Sequence, residues 1–222
     1  ASGIRQSLAR CKFISIRSQA IKMAQNAKCI LKRIVSLAAK FNQLNMNITE
    51  DDFLKAEIEN FNLTFENPDF VALAQEVADY CKKFNAKTFL DFGCGTGVYS
   101  EVMRETGFDI TAQDVFKSHR DYCKANYPKL KVLQKPKQAD FMLWIEVAEH
   151  MTDEEIAKAL KAVNPNYILF SSTPETTDFD ADWGHINIKQ EKEWITMFKG
   201  LGYKLIEKPK TPTQWALTFQ KI

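Results

Sequence analysis

The chain has 222 residues, 45% of them hydrophobic and 26% charged, and a net charge of +2. That length suits one substantial domain with an appendage. No apolar stretch approaches the ~18 residues of a membrane span, so the composition excludes a membrane-spanning chain and indicates a globular one.

The small net charge hides an asymmetry. Residues 1–49 carry nine Lys and Arg (Arg5, Arg10, Lys12, Arg17, Lys22, Lys28, Lys32, Arg33, Lys40) and no acid, which leaves 21 basic against 28 acidic residues in the remainder, a net of −7. Three readings fit the arm: a nucleic-acid or acidic-partner contact, an organelle-targeting presequence, or a cationic helix lying on an acidic domain. Ile16, Met23, Ala27, Ile30, Ile34, Leu37 and Phe41 follow helical spacing and favour the last. Cys11, Cys29, Cys81, Cys94 and Cys123 are scattered without a C-x-x-C pair. A disulfide framework and a zinc site are therefore not expected, and a reducing, cytoplasmic setting is.

In chain order, the basic helical arm and connector occupy residues 1–66, with Asn47–Pro68 reading as a connector or lid because it lacks a clear period. A domain over 67–222 follows. Residues 69–84 read as a helix, the apolar run Phe89-Leu90 as a strand ending in Asp91 before the glycines, and Val98–Thr106 as a helix closed by Gly107. Asp109–Val115 is a strand, Ser118–Asn126 a helix stopped by Pro128, and Leu130–Leu133 and Phe141–Ile145 are strands. Thr152 and Glu155 form a capping box opening a helix to Val163. A strand over Tyr167–Phe170, a helix over Gln190–Leu201, and strands over Tyr203–Glu207 and Trp215–Gln220 complete the pattern. The short connector before the last strand predicts an antiparallel hairpin. Alternating strands and helices predict a doubly wound, mostly parallel seven-stranded α/β sheet. Ligands bind such sheets beyond the carboxyl ends of the strands.

The most informative string is Asp91-Phe92-Gly93-Cys94-Gly95-Thr96-Gly97. Its glycines allow positive φ and close approach, and the helix that follows offers N–H groups to polar ligand atoms. A dinucleotide fingerprint spaces its glycines G-x-G-x-x-G, whereas here they are G-x-G-x-G, which argues against a nicotinamide dehydrogenase. Asp114 closes the next strand, where a carboxylate can accept both hydroxyls of a ribose. Together these residues resemble the first two motifs of the class I, Rossmann-like S-adenosylmethionine-dependent methyltransferases over residues 67–222. The resemblance implies S-adenosylmethionine as cofactor. It implies binding roles for Asp91, Gly93, Cys94, Gly95, Gly97, Asp114 and Glu146, with Gln134 in place of the acid that commonly meets the adenine amine.

The fourth strand runs into Glu146-Val147-Ala148-Glu149-His150. If a helical turn starts at Glu146, then Glu146, Glu149 and His150 share one face, and N/O ligands at a cofactor cleft suit a divalent metal. A long loop, Ser171–Ile188, brings a later histidine, His185, and its length marks it as functional. This E-x-x-E-H pattern resembles O-methyltransferases of ubiquinone biosynthesis and those acting on the 2′-hydroxyl of small RNAs. The resemblance to the latter implies Mg²⁺ or Mn²⁺ on Glu146, Glu149, His150 and His185. Without metal, His150 or His185 is the natural general base, and Glu146 lines the cofactor pocket. His119 reads as a surface residue, Trp144 as pocket wall or core, Trp183 as a stacking partner for a planar acceptor, and Trp194 and Trp215 as core. The function expected is methylation of a small hydroxylated acceptor, chiefly on oxygen. The alternatives are an RNA 2′-O-methyltransferase using the basic arm, against which the acids Glu175, Asp178, Asp180 and Asp182 of the loop argue, and a non-catalytic adaptor on a cofactor fold.

Overall fold

In the fourth strand, Phe141 and Leu143 point to one side of the sheet and Met142 and Trp144 to the other, and all four are fully buried. A strand apolar on both faces belongs in the middle of a sheet covered by two helical layers. The computed structural model places it there. The structure describes residues 48–176 and 183–222. The basic arm, its helical stripe, Cys11 and Cys29, and the loop acids Asp178, Asp180 and Asp182 lie outside the described residues.

Helix α1 (Glu50–Lys55) passes into a π-helical turn over Ala56–Asn60. Then come α2 (Pro68–Cys81), β1 (Thr88–Phe92), α3 (Val98–Glu105), β2 (Asp109–Gln113), α4 (Lys117–Asn126), β3 (Lys131–Leu133) and β4 (Phe141–Ile145). After a 3-10 turn at Ala148–His150 follow α5 (Asp153–Val163), β5 (Tyr167–Ser171), α6 (Glu191–Gly200), β6 (Tyr203–Glu207) and β7 (Leu217–Lys221). The sheet order is β3-β2-β1-β4-β5-β7-β6, parallel through the first five strands and antiparallel at β7 and β6. This is the expected doubly wound sheet with its terminal hairpin.

Two apolar layers sandwich the sheet. On one side Leu90, Met142, Trp144, Ile168 and Phe170 meet α5 and α6, where Phe198 stacks on Phe219 with centroids 4.3 Å apart. Trp144 and Trp194 are both core here. On the other side Phe89, Phe141, Leu143 and Leu169 meet Val77 of α2 and Met103 of α3. Asp140 ties β4 to β1, one carboxylate oxygen accepting from the amides of Lys87 and Thr88. Among the described residues no helix is long and apolar enough to cross a membrane.

The stretch read as a connector or lid is helical over Glu50–Lys55 and π-helical over Ala56–Asn60, and it is docked. Thr49 and Asp52 close a capping box at the start of α1. The Glu50 side chain accepts from the Lys117 amide at 2.6 Å, and its carbonyl accepts from Ser118 Oγ at 3.2 Å. Phe53 stacks on Phe116, and Phe65 packs on Tyr127. These contacts lay residues 49–65 across α4 and over the glycine turn.

Candidate active site

The glycine turn leaves β1 at its carboxyl end. Gly93, Gly95 and Gly97 all have positive φ (71°, 53° and 80°), so each needs a residue without Cβ strain. The close approaches that also demand glycine come from the chain itself. A Cβ on Gly93 would stand 2.6 Å from Val147 Cγ2, and one on Gly97 would stand 2.7 Å from Cys123 Sγ. A Cβ on Gly95 would meet the Glu57 carboxylate at 3.0 Å. The turn is also tied to β2: the amides of Gly93 and Cys94 both donate to the Gln113 carbonyl, and the Gly95 amide donates to Asp114 Oδ2 at 3.1 Å. The Cys94 side chain is buried beside Cys123, and both thiols are free.

Two carboxylates stand at this turn. Asp91 is 3% exposed and accepts from Ser100 Oγ at 2.7 Å. Burial holds its carboxyl up at about 6, with the Ser100 hydroxyl opposing and Asp114 reinforcing. Asp114 sits one residue past β2, and its second oxygen accepts from the Phe116 amide at 2.9 Å. Burial raises its carboxyl also, partly offset by His119. His119 is not a surface residue: it is 2% exposed, with Nε2 at 3.5 Å from Glu57 Oε1. Burial pulls its pKa down, but Glu57, Asp114 and Glu50 together raise it. The remaining oxygen, Glu57 Oε2, is buried and has no hydrogen-bond partner. Gln134 is exposed, and its carbonyl receives the Gln113 side-chain amide at 3.0 Å.

Beyond β4 the structure departs from the expected helical turn. Glu146 has φ +53°, a left-handed conformation uncommon for a side-chain-bearing residue. Only Ala148–His150 are helical, as a 3-10 turn. The shared-face spacing therefore does not operate, and the residues meet by other means. Glu146 turns its carboxylate to Ser171 Oγ and to Trp215 Nε1, the latter at 3.0 Å. Trp215 is thus a half-buried donor at the site rather than core. Burial raises the Glu146 carboxyl against these donors.

Glu149, His150 and His185 converge, with one ligand atom from each lying within 4.8 Å of the others. The pairing is built by backbone: the amides of Ile186 and Asn187 both donate to the Glu149 carbonyl, at 2.9 and 3.0 Å. The Asn187 side chain then bridges Met151 and Asp153, and Lys189 pairs with Asp153 at 2.7 Å. The His150 and His185 rings lie 4.7 Å apart. Glu149 is 1% exposed with Oε2 unpartnered, and burial, then Glu146, pushes its carboxyl up to about 8. Burial, then His185, lowers His150 to about 4 despite hydrogen bonds to the Gly184 and Trp183 backbone. Phe53 of α1 makes edge contacts with Trp183 and His150, at 5.3 and 6.1 Å.

The sheet order, with a glycine turn at the end of β1 and an acid just past β2, is that of a class I S-adenosylmethionine-dependent methyltransferase. A methyltransferase-domain family model matches residues 65–208, so the chain belongs to that family. A ubiquinone biosynthesis O-methyltransferase of Rickettsia akari is 30% identical, over 45% of this chain and 45% of its own. The chain thus spans less than half the length of the curated relative it matches. Magnesium protoporphyrin IX methyltransferase from Synechocystis, solved with S-adenosylhomocysteine, superposes with TM-score 0.59 at 15% identity, over 79% of this chain and 96% of that one. Streptomyces venezuelae DesVI superposes with TM-score 0.57 at 15% identity, over 75% and 97%.

The acceptor groups at the turn suit this cofactor. A ligand carrying positive charge and two ribose hydroxyls offers what two buried carboxylates and the orphaned Glu57 oxygen lack. The sign of the pH dependence follows. Asp91 holds its proton to about pH 6 when folded, against about 3.9 unfolded. Its contribution to stability is therefore fully present below pH 4 and lost as pH rises through 6, by up to about 3 kcal/mol. A cationic ligand favours the ionised carboxyl, so binding should release a proton. Calorimetric affinity for S-adenosylmethionine, which carries the sulfonium charge, should tighten from pH 5 to 7 and flatten in Asp91→Asn. A wild-type affinity independent of pH would contradict this placement.

Proposed function

We propose that the chain methylates a hydroxyl of a small acceptor, with Glu149, His150 and His185 holding a divalent cation such as Mg²⁺ or Mn²⁺. The observation that carries this reading is the convergence of those three side chains around a buried, unpartnered Glu149 oxygen. An N/N/O donor set with no thiolate suits such ions. The O-methyltransferase relatives support oxygen as the methyl acceptor.

S-adenosylmethionine supplies, when bound, an electrophilic methyl group on a sulfonium. The chain's residues do the rest. Asp114 accepts from the ribose hydroxyls, the glycine turn fixes the backbone that receives the ligand, and Asp91 contributes negative charge nearby. Glu146, held by Ser171 and Trp215, lies beside Glu149 between the two sides of the site. A cation on the triad would lower the acceptor hydroxyl's pKa and fix its oxygen for in-line attack. The depressed pKa of His150 keeps its ring neutral, the form a metal ligand requires. Trp183 and Phe53 offer aromatic faces and edges beside the triad for a planar acceptor.

The test is transfer of labelled methyl to vicinal-diol aromatics and to short RNAs, with Mg²⁺ or with EDTA. Transfer to the small diols that EDTA abolishes supports the reading. Transfer indifferent to EDTA, or confined to RNA, overturns it.

A further inference from the structure

The π-helical turn Ala56–Asn60 lies outside the methyltransferase motifs, yet it carries the side chain that presses on their central glycine. Glu50 and Phe53 anchor the segment before the turn at the start of α4, and Phe65 anchors it after. Between these anchors Glu57 points inward to Gly95, Asp114 and His119. π-Helical turns are rare and gather at functional sites. One Glu57 oxygen faces His119 Nε2 at 3.5 Å, while the other is shielded from water and has no donor. A buried acceptor without a donor costs free energy, and such an atom calls for explanation. His119, itself buried, has Glu57 as its ion-pair partner among the described residues and serves to hold that carboxylate in place.

Asp114, the acid beside Glu57 at this turn, is already engaged on both oxygens. They receive the Gly95 and Phe116 amides, one each. A ribose diol brings two more donors to that carboxylate. Glu57, whose carboxylate lies against Gly95, brings a further acceptor to the same turn.

We propose that Glu57 is a cofactor-binding residue, its unpartnered oxygen accepting a ribose hydroxyl of the adenosyl group alongside Asp114, with His119 as the positioning residue behind it. The inference rests on the reading of Asp114 as the ribose acid. It extends the cofactor site to a segment preceding the Rossmann-like core and makes that segment a strap over the nucleoside.

The test uses the full chain and two probes: S-adenosylhomocysteine and its analogue lacking both ribose hydroxyls. Glu57→Ala should weaken the parent ligand at least about tenfold, as loss of a hydrogen bond to a charged group does. The dideoxy analogue, weaker from the start, should change less than about twofold on that principle. Glu57→Gln keeps an acceptor oxygen and should fall between, and it carries the test if the alanine variant does not fold. Wild-type affinity for the parent ligand in both variants overturns the proposal. So does an equal loss for both ligands, which would make Glu57 merely structural. Asp114→Ala separates the two readings. If it loses S-adenosylhomocysteine while the Glu57 variants retain it, Glu57 alone is excluded. If all three retain it, the ribose reading of Asp114 falls as well.

Discussion

Gly93→Ala should lose measurable binding of S-adenosylhomocysteine and unfold at markedly lower temperature. Two effects combine there. At φ +71° an alanine bears left-handed strain of about 1–2 kcal/mol. Its methyl would also lie 2.6 Å from Val147, and the overlap costs a further ~1–3 kcal/mol in a packed interior. Val147 stands between Glu146 and the turn bearing Glu149, so relief by moving it displaces both sides of the site. Gly202→Ala is the control: φ is +89°, but no atom lies within 4 Å of the added methyl. That variant should pay strain only and should bind ligand normally. Thermal unfolding with and without ligand measures both. If the two variants behave alike, strain alone explains the glycine and the packing link to Val147 is wrong.

The second large effect is expected from Glu149→Ala combined with His150→Ala. Two of three converging ligand atoms are removed, while Asp91, Asp114 and the glycine turn stay in place. Methyl transfer should fall by at least about a hundredfold, a loss of the size that metal and outer-shell deletions produce. Affinity for S-adenosylhomocysteine should stay within about twofold, an energy difference well below one hydrogen bond. Mg²⁺ should raise the unfolding temperature of the parent chain and leave the double variant unmoved. A double variant with full turnover would refute the metal proposal. One that loses ligand binding would show that the triad and the cofactor site are not separable.

The sheet was legible because its strands declare themselves. β1, β4 and β5 are short apolar runs bounded by polar or glycine residues, and their alternation with helices allows few architectures. The glycine turn was equally plain, although the neighbours that exclude a Cβ are Val147, Glu57 and Cys123 rather than a ligand. The strap was not legible. Helix α1 buries no residue, so it offers no apolar stripe, and its capping box uses Asp52 where Glu or Gln is the usual signal. His119 was misplaced for a related reason. α4 is a polar helix with only His119 and Cys123 buried, and the partner that draws His119 inward sits on that unread segment.

Glu146 shows a different limit. Spacing of i, i+3 and i+4 presumes helical backbone, and nothing in the residue types around a glutamate announces φ +53°. The convergence of Glu149 with His185 instead depends on two amide hydrogen bonds from Ile186 and Asn187, backbone events without a side-chain signature. Trp215 read as core because tryptophan usually is, but its indole N–H needs an acceptor when enclosed, and Glu146 provides it.

The most direct measurement is a crystal structure of the chain with S-adenosylhomocysteine. The nucleoside should lie beyond the carboxyl ends of β1 and β2, its ribose against Asp114 and its homocysteine end toward Glu146. Finding that crevice filled by the strap's own side chains, with the ligand bound elsewhere, would contradict the account.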